Sequence, residues 1–176
     1  MSEKTMTKKI ALAGVFAALC MAIIWVAGMT MLDLSALVIC AFMTMLLVVE
    51  IGEKMTWVYA AATSVLAFLL LPNKLYAIEY ALFAAVYPIL KLHFEKLRPL
   101  FAYPVKISCL DTMLLFCIVL GQYVFMAGED YFSLGWLTIG AATLFFLLFD
   151  VTLTLCMSFY LVKLRKKLRI GGRRKW

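Results

Sequence analysis

The residues in this chain able to do chemistry are few, and they fall into two groups. The first gathers at the turns between apolar runs: Asp33 after the first run, Asn73 and Lys74 in Leu71-Pro72-Asn73-Lys74, Glu79 just beyond, and Glu129 with Asp130 in a late acidic turn. Tyr76, Tyr80 and Trp136 accompany them, with Trp25 and Tyr131 nearby. Aromatic walls with a few polar groups of both signs are what a small-molecule pocket needs. Interfacial belts of Tyr and Trp, and polar loops, produce the same composition in any membrane protein. Lys74 is the best single candidate for touching a ligand, because it is the one cation that the distribution of positive charge does not account for.

The second group lies inside the apolar runs. Asp150 stands near the middle of the last run and Asp111 a short way into the fifth. A charge at mid-bilayer costs at least about 2.5–3.5 kcal/mol, so each calls for a partner. Asp150 is expected either to act as a protonated carboxyl hydrogen-bonded to a neighbouring helix through Thr or Ser hydroxyls, the favoured role, or to serve as a coupling or substrate residue. No second intramembrane carboxylate or histidine continues a proton relay from it. Asp111 and Glu50 are expected to pair with Lys54, Lys91 or Lys106.

Enzyme motifs are absent. There is no Gly-x-x-x-x-Gly-Lys-Ser/Thr loop for nucleotide phosphates, no Gly-x-Ser-x-Gly elbow and no His-Glu-x-x-His zinc helix. The five cysteines all fall in apolar runs with no Cys-x-x-Cys pair, and read as small core hydrophobes rather than as metal ligands or a disulfide framework. His93 stands alone and reads as a solvated loop residue. No catalytic residue, metal or cofactor is expected.

The elements that must position these residues are membrane helices. With 66% of its residues hydrophobic and a mean hydropathy of +1.00, the chain exceeds what a soluble domain buries. About 20 apolar residues span a hydrocarbon core of about 30 Å. The apolar runs predict one all-helical domain of six crossings, about 8–29, 34–50, 55–71, 75–91, 105–127 and 134–162, over residues 1–176, with a basic tail at 163–176. Pro72 ends the third of these by removing a backbone donor. Tyr76, Tyr80, Phe83 and Tyr87 share one helical face of the fourth. In the first, Ala13 with Ala17 and Gly14 with Ala18 are spaced for close helix approach, either within the bundle or against a partner.

Charge then sets the orientation. With both termini in the cytoplasm, every Lys and Arg except Lys74 lies inside, and the Glu129/Asp130 turn lies outside. The net charge of +7 comes mainly from the two ends of the chain and the segment after Lys91. It addresses anionic lipid and topology rather than nucleic acid.

The Thr7-Lys8-Lys9-Ile10-Ala11 opening, the alanine-spaced first helix and Leu32-Asp33-Leu34-Ser35 at the start of the second resemble the S components of energy-coupling factor transporters. So does the plan of six short helices with cytoplasmic termini. The resemblance implies a bacterial cell-membrane subunit that captures a small metabolite or vitamin at its outer face. It further implies docking, through Ala13, Gly14, Ala17 and Ala18, on a separate coupling subunit driven by ATPases. The turns around Asp33, Lys74 and Glu129 would be the pocket loops. A glycine-proline pair that such components commonly carry after the second helix is replaced by Glu50-Ile51-Gly52-Glu53-Lys54. The alternative is a non-transporting membrane scaffold, like the rod-shape-determining MreD family. An intramembrane enzyme centred on Asp150 is disfavoured, because that carboxylate has no visible catalytic partner.

Overall fold

The computed structural model describes residues 3–30, 32–94, 99–123 and 135–164. Among them there is no strand. The helices are α1 (Glu3–Ala27), α2 (Asp33–Ile51), α3 (Glu53–Leu70), α4 (Lys74–Phe94), α5 (Pro99–Tyr123) and α6 (Gly135–Phe159), the last continuing as a π-turn over Tyr160–Leu164. All of these except α3, which opens on Glu53 and Lys54, contain a segment long and apolar enough to cross a membrane.

The connections have local causes. A single residue, Gly52, joins α2 to α3 with a φ of 101°, a region that L side chains rarely adopt, so glycine makes the reversal. Lys9 Nζ donates to the Ile51 carbonyl at 3.1 Å and so covers a group at the end of α2 that has no helical partner. At the other end of α3, the Asn73 side chain accepts from the backbone N–H of Leu75 (3.0 Å) and Tyr76 (3.3 Å), starting α4 as an N-cap.

The buried share is 56% along the α4 span against 22% along the α1 span, which makes α4 the central helix. It packs on α2, α3 and α5. Its middle, Tyr80–Val86, is wound as a π-helix, with the Tyr87 N–H bonded to the Leu82 carbonyl five residues back. Pro88 follows at once. A proline ring clashes with the carbonyl four residues before it in an α-helix, and a wider turn relieves that clash.

The wider turn fans out the aromatic stripe. Tyr76, Tyr80, Phe83 and Tyr87 are all buried, but they serve different neighbours. Phe83 stacks on Phe146 of α6 at 4.7 Å, while Tyr80 lies among Cys20, Cys40 and Tyr59. The helix also runs past its expected end near residue 91, through Phe94. Lys91, at that expected end, lies inside the helix and in the core, where it is 0% exposed.

Candidate functional site

The Asp33 end of the bundle brings together the C-terminus of α3 and the N-termini of α2 and α4. The Tyr76 hydroxyl donates to the backbone carbonyl of Asp33 at 3.2 Å. Glu79, one turn further along α4 and half-buried, is close enough for its charge to interact with that of Asp33. The buried Oδ1 of Asp33 has no hydrogen-bond partner among the described residues. Leaving such an atom unsatisfied costs about 1–3 kcal/mol, and more for a charged group, so it marks a place where a donor is called for.

Lys74 faces elsewhere. Its Nζ donates to the carbonyls of Phe68 (2.7 Å) and Leu71 (2.9 Å) and lies 5.3 Å from the centre of the Phe68 ring. It thus closes the C-terminal end of α3, where the helix dipole favours a cation. Asn73 is engaged as the cap of α4. Tyr80 is fully buried, and its hydroxyl makes no bond of normal geometry to the described residues, although the hydroxyls of Tyr59 and Thr63 are close by. Glu129 lies outside the described residues, and Trp136 stands in the first turn of α6. The sequence-chosen residues therefore divide: Asp33, Tyr76 and Glu79 are gathered, while Asn73 and Lys74 build the turn beside them.

A second polar cluster lies deep in the bundle, around Asp150. Its partners are not the Thr or Ser of a neighbouring helix. They are Tyr87 and Lys91 of α4 and Lys106 of α5. The Tyr87 hydroxyl donates to Asp150 Oδ1 at 2.6 Å, and Lys106 Nζ lies 3.4 Å from Oδ2. Lys91 forms a close ion pair with Oδ1 and also donates to the Asp150 carbonyl and to Thr154 Oγ1, both at 2.7 Å. Three acceptors match the three protons of its ammonium group.

Asp111 and Glu50, expected to pair with lysines, each take a hydroxyl partner. Thr143 donates to Asp111 at 3.2 Å and Tyr160 to Glu50 at 2.9 Å. Asp111, Thr143, Lys106 and Asp150 border one small cavity of about 30 Å³. Lys91 was the hardest of these to foresee, because a basic residue just before a polar stretch reads as a topology signal. The available clue was Pro88, which alters the winding just before it. His93, expected to be solvated and alone, is half-exposed and sits 3.3 Å from Glu53.

On α1 the four small residues divide by face. Ala13 and Ala17 pack on the cluster of Leu47, Ile51 and Tyr59. Gly14 and Ala18 are exposed, and nothing stands within 4 Å of where a Cβ on Gly14 would lie. Among the described residues no group of acidic, His and Cys side chains is placed to hold a metal ion. Comparison with protein-family models, curated proteins and solved structures returned no match for this chain.

Proposed function

We propose that this chain is a membrane substrate-capture subunit of the energy-coupling factor type, which binds a small metabolite or vitamin bearing a positively charged group at its Asp33 end. In this reading α3 completes six crossings, both termini are cytoplasmic and the Asp33 end faces outward. The observation that carries the reading is the buried Oδ1 of Asp33, lacking a donor beside the carboxylate of Glu79. Lys74, bonded to the end of α3, does not neutralise these acids. A ligand ammonium or amidinium would supply the missing donor and balance the charge.

Transport would require ATPases and a coupling subunit in trans, since the chain has no phosphate-binding loop. The exposed Gly14 and Ala18 support a docking role for α1. The same face would also serve a scaffold of the MreD kind, and the proteins captured with the chain from native membranes separate the two readings.

Native mass spectrometry of the gently purified protein tests the pocket. A small cationic adduct is expected on the wild type and on Lys74→Ala, and is expected to be lost in Asp33→Asn and Glu79→Gln. Retention of the adduct by Asp33→Asn, or its absence from every preparation, would overturn the pocket.

A further inference from the structure

At the opposite end of the bundle a cavity of about 510 Å³ opens between α2, α4 and α6. Its walls are Met45 and Val48 from α2, Ile89 and Leu92 from α4, and Met157 and Leu161 from α6 and its continuation. That volume lies within the range of ligand-binding cavities, roughly 300–1,000 Å³. The two thioethers make the walls adaptable in shape.

The hydroxyls that line the cavity do not serve it. Thr154 Oγ1 accepts from Lys91 at 2.7 Å and donates to the Asp150 carbonyl at 2.9 Å. Ser158 donates to the carbonyl of Leu155 at 2.9 Å. Both side chains therefore spend their hydrogen bonds on the protein, and the surface they add to the cavity is largely apolar. A polar metabolite would lose its water there without recovering hydrogen bonds, at about 1–3 kcal/mol for each group left unsatisfied.

Polarity is confined to the rim, where Glu53 and His93 meet at 3.3 Å and are each nearly half exposed. These lie at the start of α3, directly after the end of the membrane-length α2, and near the end of the membrane-length α4. We propose that the cavity holds one acyl chain of a membrane phospholipid whose headgroup carries an amine. The chain fills the apolar interior, and the ammonium donates to Glu53 beside His93 Nε2, while His93 Nδ1 stays on the Ile89 carbonyl at 3.3 Å. An anionic headgroup without an amine offers that carboxylate no cationic donor, and neither does a simple fatty acid. The site is at the far end from Asp33, so its success or failure leaves the proposed substrate pocket untouched.

The test uses the full chain reconstituted in vesicles containing phosphatidylethanolamine with a photoreactive diazirine in its acyl chain. Parallel samples carry the same chain on phosphatidylglycerol. After irradiation, labelled peptides are mapped by mass spectrometry. Labelling around Val48, Met157 and Leu161 is expected to exceed that of the exposed α1 residues Val15 and Leu19 several-fold. It should fall to the α1 level in Ser158→Trp and Leu161→Trp, which fill the cavity from exposed positions and should leave the core intact. Glu53→Gln should remove the preference for ethanolamine while leaving labelling by the glycerol lipid unchanged. Uniform labelling around the bundle, or labelling indifferent to both tryptophan variants, would overturn the acyl-chain site. Equal labelling by the two headgroups in the wild type would overturn the amine-specific rim.

Discussion

Lys91 shows how far a single residue departs from what its type implies. A lysine near a helix end ordinarily extends its ammonium to water along its own methylene stem. Here it is fully buried, with Asp150, the Asp150 carbonyl and Thr154 as acceptors. Asp150 in turn serves Lys91, Lys106 and Tyr87 together. Removing one member of a buried ion pair usually costs about 3–5 kcal/mol, because the desolvation penalty of the other remains. Asp150→Asn should therefore lower the thermal stability of the detergent-solubilised protein severely, by an amount of that order. Replacing the charges together, as Asp150→Leu with Lys91→Met and Lys106→Met, should recover much of the loss if the cluster only holds the helices. Thermal unfolding followed by circular dichroism reads both variants. An unchanged melting curve for Asp150→Asn would remove the claim that this carboxylate anchors the cluster.

Among the elements, α1 and α4 show opposite uses of a helical stripe. On α4 the buried stripe is spread by the π-turn ahead of Pro88, so that one helix serves α2, α3 and α5 and reaches Phe146 on α6. On α1 the small residues form two edges, of which Ala13 and Ala17 are used within the bundle while Gly14 and Ala18 are left open. Bulky residues on these two edges should therefore act differently. Gly14→Leu with Ala18→Leu should leave expression and melting temperature close to wild type while abolishing co-purification of a membrane partner. Ala13→Leu with Ala17→Leu should destabilise the chain itself, as overpacking typically does by about 1–3 kcal/mol. Affinity capture from native membranes, alongside thermal unfolding, checks both. Undiminished partner recovery with the Gly14/Ala18 variant would remove α1 as the docking helix.

For the whole molecule, the proposed orientation puts Lys74 outside and the basic tail inside, following the distribution of Lys and Arg. In intact cells a membrane-impermeant maleimide should modify Lys74→Cys, and it should modify Lys175→Cys only after permeabilisation. The reverse pattern would invert the topology and turn the Asp33 end toward the cytoplasm. Hydropathy and turn residues by themselves determined that the described residues are helical and rich in membrane-length segments, because about 20 apolar residues in a row have few other stable uses. They also located the turns at Gly52 and Pro72-Asn73, where backbone chemistry is local. The gathering of Asp33, Tyr76 and Glu79 was legible in part, since two helices that start at one turn level, α2 and α4, bring those positions near each other. Only the tertiary structure decided that Lys74 caps α3, that Lys91 and Lys106 share Asp150, and that the α1 small residues divide between two faces. Those outcomes depend on which helices are neighbours and how each is rotated. Charge counting and periodicity describe one segment at a time, and cannot carry that information.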